Sequence, residues 1–402
     1  VSTDVSPHAA RSLLTRGGRG FSAFAAFVTF AALSSCDAVE PENGSDAVGA
    51  TETTEDAIRL RTMSPEARAQ YDANVAFALG YRPLCTASPP AGTARRPRVL
   101  VTGFGRFMTH TQNATGLMVT RLVPGMTYPV TARPPAGQVD PPEPQTAVGS
   151  ATVELDGVGP VDVCAMVLPV YWDLAAILAL KEIQSFAPDV VLMNGIAGRR
   201  QALWLELGSV NRALALQDGS EALVPLAPEG QRFAPIVPSA SAAELSMGLR
   251  FSYGPVQQAA SAAIAARGEV LEAGARFDRV AQGVLRGGFP RHGNTYLCNN
   301  TTYVVNHAMA RPGAALTLLQ ASPALANRVN RVTVRLTRDV RAVPRVFIHW
   351  PSDLAGVHLD AGTEVMKAIL SAQLRALREG GASLPVVGDN RDAEIAPTGG
   401  WY

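Results

Sequence analysis

The sequence has little of what marks several functional classes. Neither sign of charge is in excess: 35 basic and 34 acidic residues give a formal net charge of +1. No basic stripe interleaved with aromatics is present, so nucleic acid is not an expected partner. Cysteine is scarce, with four in 402 residues (Cys36, Cys85, Cys164 and Cys298), and none forms a Cys-x-x-Cys pair. The six histidines are scattered and His-Glu-x-x-His does not occur. Those absences remove the common zinc spacings; neither a metal nor another cofactor is expected. Gly103-x-Gly105 lacks the third glycine of a dinucleotide loop. No apolar run is long enough for a permanent membrane span.

At 47% hydrophobic residues the chain can bury one large core or two ordinary ones. Its beginning reads differently from the rest. Arg11, Arg16 and Arg19 precede FSAFAAFVTFAA at 21–32, which has the length and flanking charge of a signal-peptide apolar region. Leu33-Ser34-Ser35-Cys36 then resembles the bacterial lipobox, in which Cys36 would be lipidated; an ordinary secretory signal with an incidental cysteine is the alternative. Residues 1–36 are therefore expected to be an export leader, with the protein in the cell envelope and held to a membrane by a lipid anchor. Residues 37–60 read as a disordered acidic tether, since they carry charge of mostly one sign and little hydrophobicity. Residues 61–96 read as a helical segment and linker. Ser64 would be the N-cap and Pro65 the first helical residue, and Pro83, Pro89 and Pro90 break the chain. Residues 382–402 read as a loosely packed tail. In an exported protein Cys85 and Cys164 could pair. Cys164, inside VDVCAMVLPV, equally fits a small buried apolar residue, and the sequence leaves the choice open.

Residues 97–381 alternate strand and helix. RVLVTGF at 98–104, DVVLM at 189–193 and RVFIHW at 345–350 are buried-strand runs, and 151–158 with 161–170 form an expected antiparallel pair. Tyr296 and Leu297 are expected to end a strand before a helix over 300–309. Helical spacing recurs over 174–186, 255–267 and 362–377, while 225–243, rich in Pro, Ala and Ser, reads as an excursion from the core. The pattern predicts an α/β fold: a three-layer αβα sandwich around a mixed, mostly parallel sheet.

Cys298 is the cysteine best placed for chemistry. At the start of a helix its thiol would face the positive end of the dipole, which favours the thiolate; the bland alternative is a buried structural cysteine. His307 cannot be its base. Nine residues on, it lies roughly 900° around the helix, half a turn out of phase and more than two turns away. His349 is better placed, at the carboxyl end of an apolar strand stopped by Pro351, because sheets of this class bind ligands at that edge. A third group must orient the imidazole. Glu206, flanked by apolar residues in LWLELGSVN, needs a partner if buried, and Asp353 and Asp173 are alternatives.

Several segments together resemble pyroglutamyl peptidase I, the cysteine peptidases that remove N-terminal pyroglutamate. They are VTGFGRF at 101–107 with Asn113; LPV at 168–170 and PDVVL at 188–192; GIAGR at 195–199 with Leu205-Glu206 and Asn211; and YLCN at 296–299 with Tyr303, followed by Ile348-His349 and Pro351. They occur in family order. Arg106 stands where the family has proline. The resemblance implies Cys298 as nucleophile, His349 as its base and Glu206 as the orienting carboxylate. It also implies a substrate pocket including Phe104, Phe107, Asn113, Tyr296 and Leu297, and a peptide with a blocked N-terminus as substrate. Two other readings stay open: an exported cysteine hydrolase of another N-blocked substrate, and a non-catalytic surface lipoprotein that binds peptide ends. Oligomeric state is open as well.

Overall fold

The computed structural model describes residues 54–87, 95–107, 111–129, 144–197, 201–268, 276–287, 295–321 and 332–380. The expected leader with Cys36, most of the tether, and the tail over 382–402 lie outside the described residues. Among the described residues no helix is long and apolar enough to cross a membrane.

Seven strands build the central sheet: β1 (Arg98–Phe104), β2 (Ala147–Leu155), β3 (Gly159–Leu168), β4 (Val190–Ile196), β5 (Leu203–Glu206), β6 (Val284–Gly287) and β7 (Arg345–Trp350). Their spatial order is β6-β5-β7-β4-β1-β3-β2. The neighbours β3, β1, β4 and β7 are parallel. On one side β2 closes the sheet antiparallel to β3; on the other, β5 runs antiparallel to β7 and parallel to β6. The inner strands β1, β4 and β7 are apolar along nearly their whole length because both of their faces are covered.

Two apolar clusters fill the two sides. One joins Leu100, Met193 and Phe347 of the sheet to α1 (Pro65–Gly80), α3 (Leu174–Phe186) and α5 (Leu297–Ala310). The other joins Val101, Leu192 and Ile348 to α2 (Ala114–Thr120), α4 (Tyr253–Gly268) and α6 (Val357–Arg378). Strand residues alternate between the clusters, as a two-residue side-chain period requires. The architecture is thus the three-layer αβα sandwich expected from the alternation of elements.

Three expectations need correction. The tether does not extend to residue 60: Thr54, Glu55 and Asp56 pair with Ala315, Leu316 and Thr317, and Arg59–Leu60 pairs with Gln320–Ala321. Ile58 and Leu60 are fully buried, and these apolar residues supply the docking that the acidic composition hid. The stretch 225–243 is not an excursion either. Ile236 and Val237 are fully buried, and the Val237 backbone is held on both sides by the Asn211 amide. Finally, Tyr296 and Leu297 do not end a strand: Tyr296 is the N-cap of α5 and Leu297 its first residue.

The segment from 61 onward is tied into the sandwich. Ser64 caps α1 by accepting from the Ala67 amide at 3.1 Å, and α1 packs on α3. Glu182 of α3, fully buried, accepts from the Tyr81 hydroxyl at 2.5 Å and from the amides of Leu84 at 2.7 Å and Cys85 at 3.2 Å. Cys85 and Cys164 form a disulfide, Cα–Cα 5.5 Å, between this segment and the buried strand β3. The pairing left open by the sequence is therefore made.

Candidate active site

His349 lies one residue from the end of β7, and its register partner across the parallel pair is Gly195 of β4. On the other side of β7, β5 runs antiparallel, with Ile348 opposite Leu205 and His349 opposite Trp204. That register carries Glu206 to the level of Phe347, on the same face of the sheet as His349. His349 Nδ1 and Glu206 Oε1 are 2.6 Å apart. Both residues are buried, His349 at 0% and Glu206 at 1% exposure, so the pair is a desolvated hydrogen bond and not a surface ion pair.

Cys298 approaches the same spot from the layer above. It is the second residue of α5 and is partly buried. Its sulfur sits over Gly195: a Cβ built there would lie 2.9 Å from Cys298 Sγ and 2.8 Å from the Phe347 ring. The residue beside His349 therefore has no side chain because sulfur and ring occupy the space. The structure thus brings the cysteine to the strand position adjoining the histidine and the carboxylate to the histidine itself.

The electrostatics differ from the helix-dipole expectation. Burial pushes the Cys298 thiol well above its ordinary range, and the nearby Glu206 carboxylate adds to that; contact with its own amide pulls the other way without prevailing. Forming the anion at this position therefore calls for an acceptor close at hand.

The other candidates divide. Phe104 and Phe107 flank the end of β1. The Phe104 ring is 6.3 Å from that of Phe347, which lies 4.9 Å from the His349 ring. Phe107 is half-buried and 5.9 Å from Tyr296, which meets Trp172 edge-on at 5.4 Å. The Tyr296 hydroxyl donates to the Gln217 carbonyl. Leu297 is buried in the same cluster. Asn113 serves as a helix cap, its side-chain oxygen accepting from the amide and hydroxyl of Thr115 at the start of α2. A small cavity opens past the end of β1, lined by Gly105, Arg106, Pro169, Val170 and Tyr171 among others; none of the five candidate pocket residues lines it.

The two alternative carboxylates sit elsewhere. Asp353 is exposed and accepts from Ser352. Asp173 is buried and takes the Leu319 amide and the Asn300 side chain. His307, in the last turn of α5, meets Glu55 at 2.6 Å. Gly198 and Arg199 lie outside the described residues. Two further residues bear on the site without having been assigned a role from the sequence: Tyr253, whose hydroxyl donates to the Glu206 carbonyl at 2.8 Å, and Asn299, beside the cysteine. The sequence trace of Asn299 is its place in YLCN at 296–299, which says nothing of what its amide holds; Tyr253 left none.

No protein-family model and no curated protein matches the chain. Among solved structures it is similar to pyrrolidone carboxyl peptidase from Thermococcus litoralis, at 15% identity over 73% of this chain and 100% of that one, with a TM-score of 0.43. Two mutant pyrrolidone carboxyl peptidases from Pyrococcus furiosus are similar at 17% and 16% identity. Each covers 70% of this chain and 99% of theirs, with TM-scores of 0.39 and 0.42.

Proposed function

We propose that this chain is a cysteine peptidase that removes an N-terminal pyroglutamyl residue through a thioester. The observation that carries the reading is the buried Glu206–His349 hydrogen bond with the Cys298 sulfur over Gly195, the register partner of His349. With Nδ1–H donating to Glu206, Nε2 is the basic nitrogen of the ring. It takes the thiol proton as sulfur attacks the carbonyl joining pyroglutamate to the next residue. The tetrahedral oxyanion is met by main-chain N–H groups of the first turn of α5. His349 then returns the proton to the departing amine, leaving a thioester. Water, deprotonated by the same nitrogen, attacks the thioester; pyroglutamate leaves and the thiol is restored. Glu206 holds the ring and stabilises its cation.

The flat, neutral lactam would lie against Phe104 and Phe107, with Tyr296 meeting the Phe107 ring from the other side. We also propose that the activity is exported and lipid-anchored through Cys36. The Cys85–Cys164 disulfide supports export, because such bonds persist in oxidising compartments. The test compares hydrolysis of a pyroglutamyl fluorogenic amide with its acetyl and free-amine analogues, in the wild type, Cys298→Ser and His349→Ala. Cleavage of the pyroglutamyl amide alone, lost in both variants, is expected. Cleavage of the acetyl amide instead makes the protein a hydrolase of other N-blocked substrates, and no turnover with unreactive Cys298 makes it a binding protein. Radiolabelled palmitate incorporated by the full chain and lost in Cys36→Ala tests the anchor.

A further inference from the structure

Glu206 ends a strand of four residues, and the chain leaves the sheet immediately after it. A short strand on its own does not fix a carboxylate to within the few tenths of an ångström that a hydrogen-bonded catalytic pair needs. Main-chain pairing with β6 and β7, and of Gly208–Val210 with Ser246–Gly248, gives the segment its course, and two side chains from two different layers add to that hold. From α4, the Tyr253 hydroxyl donates to the Glu206 carbonyl at 2.8 Å. From α5, the Asn299 amide closes on the residues that follow. Its oxygen accepts from the Val210 N–H at 2.9 Å, and its nitrogen donates to the Val210 carbonyl at 2.8 Å and to the Arg212 carbonyl at 2.9 Å.

The Asn299 contact has the form of a neighbouring strand: one amide offers an acceptor and a donor to the N–H and C=O of a single residue. It is 1% exposed, so water does not substitute for it. Its position in the chain gives it a further consequence. Asn299 is covalently next to Cys298, so the same turn of helix that places the sulfur over Gly195 also places the carboxylate segment. The result is a closed circuit: Cys298 to Asn299, Asn299 to Val210, back along the chain to Glu206, Glu206 to His349, His349 across the strand pair to Gly195, and Gly195 under the sulfur. Tyr253 braces that circuit from the opposite layer.

We propose that Asn299 and Tyr253 are positioning residues, a clamp that registers the Glu206 segment against the cysteine-bearing helix and so sets the Glu206–His349 alignment. The proposal rests on the cysteine–histidine–glutamate reading above. It predicts that loosening the clamp reproduces the loss of Glu206 without altering any charge.

The test follows alkylation of Cys298 by iodoacetamide in the full chain, on the Cys298 peptide by mass spectrometry, as a function of pH. The chains compared are wild type, His349→Ala, Glu206→Gln, Asn299→Ala, Tyr253→Phe, and each clamp variant combined with Glu206→Gln. At neutral pH the Asn299→Ala rate is expected to fall roughly tenfold, Tyr253→Phe less, and both pH profiles to move toward that of Glu206→Gln. In the Glu206→Gln background neither clamp variant should change the profile further. The inference is overturned if both clamp variants keep the wild-type profile while His349→Ala and Glu206→Gln change it, or if their effects persist undiminished in the Glu206→Gln background, as a general loosening would produce. If His349→Ala itself leaves the profile unchanged, the cysteine–histidine reading fails, and the clamp fails with it. Should Asn299→Ala not fold, Tyr253→Phe, which removes one hydroxyl, decides.

Discussion

Glu206 and His349 meet at 2.6 Å although 143 positions separate them along the chain. Their encounter follows from register: with Leu205 opposite Ile348 on antiparallel strands, Glu206 falls at the level of Phe347, on the same face of the sheet as His349 and one face-position away. The pair is also fully desolvated, so each member is the other's compensation for leaving water.

Removal of that compensation should cost rate more than binding. Glu206→Gln keeps the shape and leaves the imidazole without its anionic partner. We expect kcat on a pyroglutamyl amide to fall by about a hundredfold or more with little change in KM. His349→Ala should fall further. A change confined to KM would place Glu206 in substrate binding instead.

Gly195→Ala tests the contact between layers. The added methyl carbon would sit 2.9 Å from Cys298 Sγ and 2.8 Å from the Phe347 ring, closer than any unforced contact. Either the sulfur or the ring must move. We expect a folded protein, destabilised by about 1–3 kcal/mol as overpacking generally costs, whose Cys298 alkylates more slowly and whose turnover is at least tenfold reduced. Unchanged alkylation and turnover would show that the sulfur does not need its present seat.

Much of this was legible in the sequence, for identifiable reasons. RVLVTGF and RVFIHW announce buried strands because both faces of an inner parallel strand are covered. His307 could be set aside by helical phase alone. Three things were not legible. The strand role of Thr54–Asp56 depends on a partner 261 positions away (Ala315), and no local pattern encodes it. At Cys298 the burial and the Glu206 carboxylate, both supplied by other elements, outweigh the pull of its own helix start. The roles of Asn299 and Tyr253 exist only through main-chain groups of other segments, which carry no side-chain signal at all.

The Cys85–Cys164 bond should be a stability element and not a part of the site. It closes a separation of 79 residues and fastens the segment after α1 to a buried strand. Loss of such a cross-link typically costs about 2–4 kcal/mol. Cys85→Ser should therefore lower the unfolding midpoint while leaving kcat on the same amide close to wild type. Dithiothreitol should lower the midpoint of the wild type to that of Cys85→Ser and leave the variant unmoved. Equal sensitivity of both proteins to the reductant would mean that the bond is not what it acts on.

The pH dependence of stability should carry the mark of two buried carboxyls. Burial raises Asp218 from 3.8 to about 7 against the opposing hydrogen bonds from Ser220 and nearby main-chain amides, and raises Asp173 to about 6 against those from Leu319 and Asn300. Both shifts are upward, so the folded state holds its protons more tightly than the unfolded state. Below about pH 4 both states are protonated and the stabilisation is complete. As the pH rises, the unfolded chain ionises first while the native groups stay neutral, and stability falls until the native groups ionise near pH 6 and pH 7. For Asp218 the full effect is at most about 4 kcal/mol. Wild type should thus unfold at lower urea at about pH 8 than at about pH 5. Asp218→Asn, which cannot ionise, should lose much of that difference, with the remainder following Asp173. A variant whose urea midpoint drops as steeply as that of wild type over this range would show that Asp218 does not hold its proton in the native state.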